Sequence, residues 1–255
     1  MRRTVHTADH TNQALSRARD AAVERPGRAL SVILNAISVI AKSGSAGEFR
    51  EAEILLDVET RASGRHALTI APLLEALTVA EARHERWIVA CVQRRLAWVY
   101  DFRGDDLAAL EMIERARVNF AALDDTEGVI GSLNNLGVLW MRCGDTTEAM
   151  RVLAEALALA EGKRIADERA RVRVNLGHLY EVTGEFDRGR RLLEEAYGLP
   201  STWAHYLIWH ALIWPRAILR SPWSTTGITS GRSRCGCCAG KSQAASRDTL
   251  MRWVA

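Results

Sequence analysis

The sequence predicts an all-α fold, an α-α superhelix of stacked helical hairpins, followed by an irregular C-terminal tail. Three observations predict it. Four glycines, Gly64, Gly104, Gly144 and Gly184, stand at one fixed interval. Between them, apolar residues recur at three- and four-residue spacings, which is typical of helices with one buried stripe. Strand-like runs are almost absent from 1–200, and a fixed period of about 40 residues is typical of stacked copies of one helical unit.

The composition of the 255-residue chain is that of a globular protein, with 48% hydrophobic and 25% charged residues. The polar N-terminus has no apolar run behind it, so we expect no secretory signal peptide and a cytoplasmic location. Cys91 and Cys143 are the two cysteines inside the repeats, and we interpret both as small buried apolar groups. The cysteine pattern excludes a secreted disulfide scaffold.

Residues 1–43 are expected to form N-terminal helices or a degenerate repeat. A helix pair is predicted over 10–41, with Pro26 and Gly27 at its turn. The run SVILNAISVI at 31–40 fits a buried helix and a strand equally well. We therefore expect almost no sheet.

Residues 44–200 are expected to form the repeat array, with strong units at 85–122, 125–162 and 165–200. In each unit one helix ends at the periodic glycine, because a helix commonly ends at a residue with positive φ. The Asp or Glu after that glycine suits the start of the second helix. The unit around Gly64 keeps the register but has Asp57 and Thr60 at positions that break the pattern, so it is degenerate.

The units resemble tetratricopeptide repeats (TPR). The middle unit fills the family positions with Leu136, Gly137, Trp140, Gly144, Ala149, Leu153 and Ala156. The units before and after it match in register, although the last has Gly189 where the family has Ala. The period of about 40 residues exceeds the usual 34, so we expect longer helices and wider connections between units. Such long-period arrays resemble those of bacterial signalling proteins.

The resemblance implies that the first helix of each unit lines a concave groove that holds a peptide or protein partner. Asparagines one repeat apart would hydrogen-bond an extended peptide backbone, and arginines would bind carboxylates. In the alternative interpretation, the asparagines bridge neighbouring helices and the arginines only solvate a surface. The candidate partner-binding residues are Arg94, Arg95, Trp98, Asn135, Val138, Arg142, Arg171, Asn175 and His178.

No catalytic residue, metal site or cofactor is predicted, so the chain is not expected to be an enzyme. Neighbouring carboxylates such as Asp105 and Asp106 are interpreted as partners of a helix N-terminus. The segment GRSRCGCCAGKS fails as a phosphate loop because Cys235 stands where the leading glycine should be. Its three cysteines are too closely spaced for a zinc site.

Residues 201–255 are expected to be a poorly structured tail, because Ser224 stands where the next periodic glycine would fall. The tail holds seven basic residues, one acid and five of the eight tryptophans. This abrupt change is typical of out-of-frame translation of a GC-rich gene, so a frameshift is the favoured hypothesis. The apolar run at 203–214 is too short to span a bilayer but fits a membrane interface.

These observations favour a protein–protein interaction scaffold in bacterial signalling or regulation. One alternative is the sensory half of a diguanylate cyclase (GGDEF) or of a transcriptional activator. The other is a membrane-peripheral adaptor that uses the tail. No nucleic acid is expected as a partner, and self-association is expected if the last hydrophobic face of the array is exposed.

Overall fold

The structure, a computed structural model, describes residues 2–197. This part of the chain is helical and contains no strand, so the run at 31–40 lies in a helix. A short 3-10 turn at His66–Thr69 precedes α4. The helices are α1 (Arg2–Glu24), α2 (Leu30–Ser43), α3 (Ala46–Ser63), α4 (Ile70–Ala82), α5 (Arg86–Arg103), α6 (Asp106–Ala121), α7 (Thr126–Arg142), α8 (Thr146–Gly162), α9 (Ala166–Val182) and α10 (Phe186–Tyr197). The predicted tail lies outside the described residues.

The chain forms two compact units, and the second begins at Val129. In unit 1, α1 packs on α2 and α3, α4 packs on α2 and α5, and α5 pairs with α6. In unit 2, α9 packs against both α8 and α10. The apolar stripe predicted for α5 is buried in full, and its members are Ile88, Cys91, Val92, Leu96 and Val99.

At the N-terminus, α1 and α2 form a helix pair whose turn contains Pro26 and Gly27. Gly27 has φ +79°, which suits glycine because it has no Cβ. Glu59 of α3 accepts a hydrogen bond from the Gly27 N–H at 2.9 Å. The carboxylate of Glu59 is buried, so it ties this turn to the third helix.

The periodic glycines end their helices as predicted. Gly64, Gly104, Gly144 and Gly184 all have positive φ, from +67° to +86°. At Gly144, the glycine N–H donates to the Met141 carbonyl at 3.1 Å and the next N–H donates to the Trp140 carbonyl at 3.0 Å. These two bonds form a Schellman motif, which pairs carbonyls that the end of a helix would leave without donors.

A second series of left-handed turns lies midway between the glycines. His84, Asp124 and Arg164 have φ of +58°, +54° and +56°, and they are separated by the same interval as the glycines. At Arg164, its N–H donates to the Glu161 carbonyl and the next N–H donates to the Ala160 carbonyl, as in the glycine turns. The array therefore turns twice in each period, with glycine at alternate turns.

The expectation of wider connections between units is wrong. Only the three residues 163–165 separate α8 from α9, which equals the length of the turn within the α7–α8 hairpin. The additional residues of the long period lie in the helices, which have 16 to 18 residues from α5 to α9. The long period therefore lengthens the helices and leaves the connections short.

Glycines inside helices mark places where two helices approach closely. A Cβ on Gly137 of α7 would lie 2.5 Å from Cγ of Leu153 in α8. In the next hairpin, a Cβ on Gly189 would lie 2.8 Å from the carbonyl oxygen of Gly177. This approach explains why glycine replaces the usual alanine at 189, because α9 and α10 pack there with backbone against backbone.

Both repeat cysteines are buried, as predicted. Burial is the main cause that raises the pKa of the Cys91 thiol well above its usual value. A thiol that remains protonated is a poor nucleophile and a poor metal ligand. Cys91 therefore acts as a small apolar side chain in the core.

Candidate functional site

Unit 1 contains an aromatic and cationic group of side chains, here called the Trp98 cluster, formed by Arg61, His66, Arg95, Trp98 and Phe102. The His66 ring meets Trp98 edge-on, with 4.7 Å between ring centroids and 82° between planes. Phe102 lies 4.2 Å from His66 and 5.5 Å from Trp98. The guanidinium carbons of Arg61 and Arg95 lie 5.8 Å and 5.5 Å from the Trp98 centroid, within the range of cation–π attraction.

The local sequence positions each member of the cluster. Trp98 and Phe102 are four residues apart on α5, so they share one face of that helix. The 3-10 turn that follows Gly64 folds His66 back toward α5, because the glycine reverses the chain at the end of α3. Arg61 occupies the last turn of α3. Two helices and one turn thus converge on a single indole ring.

His66 is the buried centre of the Trp98 cluster, with 6% of its surface exposed. Its Nδ1 is buried and has no hydrogen-bond partner among the described residues. Burial is the main cause that lowers the pKa of His66 to about 4; Asp57 acts in the opposite direction, and Arg61 and Arg95 lower it further. His66 is therefore neutral at physiological pH.

Carboxylates of α3 neutralise much of the cationic patch that the sequence predicts. Asp57 accepts from Arg95 Nη1 at 2.6 Å and pairs with Arg61 at 2.6 Å. Glu53 lies 3.4 Å from Arg94 and 3.7 Å from Arg95. Although burial alone would raise the pKa of Asp57, the two guanidinium groups hold it below its usual value. Arg94 and Arg95 therefore bind carboxylates of their own chain.

The same side of unit 1 exposes apolar side chains. Ile54 and Val58 lie one turn apart on α3 and are 58% and 59% exposed, and Phe102 on α5 is 46% exposed. Arg61 follows Val58 by three residues and lies over Trp98, so the exposed stripe of α3 runs alongside the aromatic residues of α5. Exposed apolar side chains grouped in this way are typical of interaction surfaces.

In unit 2, the structure corrects the placement of Asn175. This residue is 1% exposed, and its Nδ2 donates to Oδ1 of Asn134 at 2.8 Å. Asn134 is also buried. It is the neighbour in sequence of Asn135, the residue predicted to contact a peptide. Asn175 therefore bridges α9 to α7 in the core and presents no free amide to a peptide, as the alternative interpretation required.

The remaining candidates in unit 2 are half-buried. Asn135, Val138 and Arg142 lie on α7, and Arg171 and His178 lie on α9. Arg171 contacts the buried carboxylate of Glu168. Nδ1 of His178 lies 3.1 Å from Oε2 of Glu181. These positions are accessible in part, but two of the side chains are already paired within their own helix.

Sequence reasoning missed His66, Arg61 and the carboxylates that pair with the arginines. These residues lie in the degenerate unit around Gly64, where the family pattern gives no register signal. The four-residue spacing of the charged residues Glu53, Asp57 and Arg61 is a signal that could have found them, because such spacing aligns side chains along one face of a helix.

Within residues 2–197, no group of three or more His, Cys, Asp or Glu side chains is placed to hold a metal ion. None of the described helices combines the length and the apolar character that crossing a membrane requires.

Comparison with known proteins supports the repeat assignment. Residues 129–162, which include α8 and most of α7, match the tetratricopeptide repeat family model. The fold of this chain resembles two crystal structures of nearly identical TPR-like repeats of a Podosopora anserina kinesin light chain. One of the two structures is of a single-residue variant. Each is 17% identical, and the alignment covers 78% of this chain and 96% of theirs, with TM-scores of 0.53 and 0.52. No curated protein matches the sequence. The predicted all-α, TPR-like fold class is confirmed.

Proposed function

We propose that this chain, in which residues 129–162 match the tetratricopeptide repeat family model, is a non-catalytic scaffold that binds a peptide or protein partner on the first helices of its hairpins. Tetratricopeptide repeats support the general role of a protein–protein interaction scaffold. The proposal includes a role in bacterial signalling or regulation. It also includes the individual contact residues.

The exposed surface beside the Trp98 cluster is the observation that carries the proposal. Ile54, Val58 and Phe102 leave about half of their surface in water. Covering apolar surface is favourable by roughly 25 cal/mol per Å². The cluster itself is held by ring contacts and ion pairs, so its side chains lose little conformational freedom when a partner binds. A partner would therefore gain most of its binding energy from these three residues and from the accessible part of Trp98.

The charged groups around the surface would select the partner by geometry. Arg61 and Arg95 are paired with Asp57, so a partner carboxylate would have to share a guanidinium group that Asp57 already holds. Arg65 and Arg103 are exposed neighbours of His66 and Phe102 in the sequence, and they add positive charge near the rim. We infer that the partner segment is apolar at its centre and carries acidic residues at its flanks.

In unit 2 the candidate contacts are the half-buried residues, and Asn175 is removed from the set. A partner that reaches this unit would meet Asn135, Val138 and Arg142 on α7 or Arg171 and His178 on α9. Of these residues, Asn135 offers an amide, which can donate to and accept from a peptide backbone.

The test is quantitative capture from the native host, with the full chain as bait. The surface variant carries Val58→Asp and Phe102→Asp, and the matched control carries Leu107→Asp, which changes a similarly exposed leucine on α6. We expect the parent chain and the control to capture a common set of host proteins. The surface variant should fail to capture that set.

Capture that is the same for the parent chain, the surface variant and the control would count against the proposed function. Circular dichroism of the surface variant checks that its helices are intact. If the aspartate pair reduces helicity, Val58→Ser with Phe102→Ser replaces it as a milder change, and unchanged capture by that variant would count against the proposal equally.

A further inference from the structure

A groove on unit 2, here called the α10 groove, runs between the end of α9 and one side of α10. It is lined by Glu181, Phe186, Asp187, Arg190, Leu193 and Glu194. Phe186 is 67% exposed, which is unusual for a phenylalanine in a helix that packs against a neighbour. The groove therefore combines an apolar floor with charged walls.

The repeat itself indicates what shape fits this groove. Leu153 on α8 is fully buried, and α9 packs against α8. Leu193 occupies the same position one period later on α10, but it is only half-buried. Leu153 lies against Gly137 of α7, and Leu193 lies in the same way against Gly177 of α9. The side of α10 that carries Leu193 is therefore less covered than the corresponding side of α8, and a helix is the element that would cover it.

The charges of the α10 groove indicate the chemistry of that helix. Glu181, Asp187 and Glu194 contribute three carboxylates, whereas Arg190 contributes one guanidinium group. Arg190 is already paired, at 3.2 Å from Glu194 and 3.9 Å from Asp187. The walls consequently carry net negative charge, which attracts positively charged side chains.

We propose that the α10 groove binds a helix of a partner protein that presents one apolar face flanked by lysine or arginine. The apolar face covers Phe186 and Leu193, and the basic flanks meet Asp187 and Glu194. Helix-in-groove binding of this kind uses apolar anchors at three- and four-residue spacing. This proposal does not depend on the surface beside the Trp98 cluster, because none of the residues that line the α10 groove belongs to that surface.

The test uses the full chain and a model peptide of 17 residues, the length of α9. The probe has a leucine and alanine face with lysine on its other positions, and a matched peptide has glutamate in place of lysine. Fluorescence anisotropy at physiological salt measures both. We expect the lysine peptide to bind about tenfold more tightly than the glutamate peptide, and we expect Phe186→Asp to remove most of that affinity.

Two further variants make the outcome specific. Asp187→Lys with Glu194→Lys should reverse the preference, so that the glutamate peptide binds more tightly. Phe102→Asp, in unit 1, should leave the affinity for the lysine peptide unchanged, which separates this proposal from the proposed function. Because Asp187 and Glu194 are exposed, the double variant is expected to keep the helicity of the parent chain.

Several results would overturn the proposal. Equal affinity for the two peptides, or an affinity that Phe186→Asp leaves unchanged, would show that the peptides bind elsewhere. A dimer in multi-angle light scattering that Phe186→Asp dissociates would assign the groove to a second copy of the chain. Peptide binding that appears only after removal of residues 201–255 would assign it to the chain itself.

Discussion

Asn175 donates a hydrogen bond to Asn134 inside unit 2, 2.8 Å between Nδ2 and Oδ1, and the two side chains are almost fully shielded from water. The pair links α9 to α7 across about one repeat of sequence. Oδ1 of Asn175 is buried without a hydrogen-bond partner in the described part of the chain. The stability of this bridge therefore depends on a single bond.

Removing one member of the bridge should destabilise unit 2. Asn175→Ala leaves Oδ1 of Asn134 buried without its donor, which costs about 1 to 3 kcal/mol of unfolding free energy. Urea denaturation followed by circular dichroism measures the change. Asn135→Ala is the matched control and should change stability little, because Asn135 is only half-buried. Replacing both Asn134 and Asn175 by leucine removes the unpaired polar group, so this double variant should lose less unfolding free energy than Asn175→Ala. An equal or larger loss would contradict this account.

Arg164→Gly should stabilise the protein, because Arg164 holds φ at +56° without the freedom of glycine. A non-glycine residue in this region costs about 1 to 2 kcal/mol, part of which is recovered when the Cβ is removed. Asp124→Gly, at φ +54°, is the comparison and should gain less, because aspartate tolerates left-handed turns better than arginine does. Thermal unfolding of both variants gives the order, and a larger gain at Asp124 would refute the explanation.

Gly137→Ala should destabilise the α7–α8 hairpin through steric overlap, because the new Cβ would lie 2.5 Å from Cγ of Leu153. Overpacking of this kind costs about 1 to 3 kcal/mol. Gly162→Ala, at the end of α8, meets no atom within 4 Å and should be neutral or stabilising. The chemical denaturation midpoint should therefore fall for Gly137→Ala alone, and equal midpoints would be inconsistent with close packing at 137.

Unfolding free energy should fall on mild acidification because of His66. Its pKa is about 4 in the folded chain and 6.5 in the unfolded chain, so the unfolded chain binds the additional proton between these values. The contribution of His66 to the unfolding free energy is complete above pH 6.5 and is lost as the pH falls toward 4. The total loss is about 3 kcal/mol.

His66→Phe provides the control for this pH dependence, since phenylalanine keeps a ring beside Trp98 and cannot titrate. Urea denaturation of both proteins at a series of pH values from about 6.5 down to about 4.5 should give a smaller loss for the variant. Arginine partners hold the pKa of Asp57 and of Glu51 below the usual values, so the stabilisation from these two carboxylates is lost at lower pH and contributes little in this window. Identical pH profiles for the two proteins would refute the assignment to His66.

The sequence predicts the architecture well because local chemistry determines it. Positive φ at Gly104 and Gly144 follows from the position of glycine at the end of an apolar stripe, and the structure confirms both turns. The turns at Asp124 and Arg164 escaped prediction because aspartate adopts the left-handed region less often than glycine and arginine rarely does, so the residue type gives little signal. Their presence is evident only from the register of the repeat.

The candidate site was less predictable because it depends on contacts between distant segments. Arg95 and Asn175 occupy the same repeat position, yet one pairs with Asp57 and the other with Asn134. Each partner lies about one repeat away and has no equivalent in the other unit. The repeat position therefore predicts where a residue lies on its helix. Whether its side chain is accessible to a partner protein or buried in the core depends on the residues of the neighbouring helix.

The alternation of glycine and non-glycine turns restricts how the length of this protein can change. A deletion or duplication of half a period would keep every turn in phase but would exchange the two helix types, so residues of one helix type would fall where the close-packing residues of the other are needed. A change of one full period keeps both the turns and the helix types. Natural or engineered variants of the array should therefore differ in length by whole hairpins, and a laboratory library of random deletions should retain folded members at that interval.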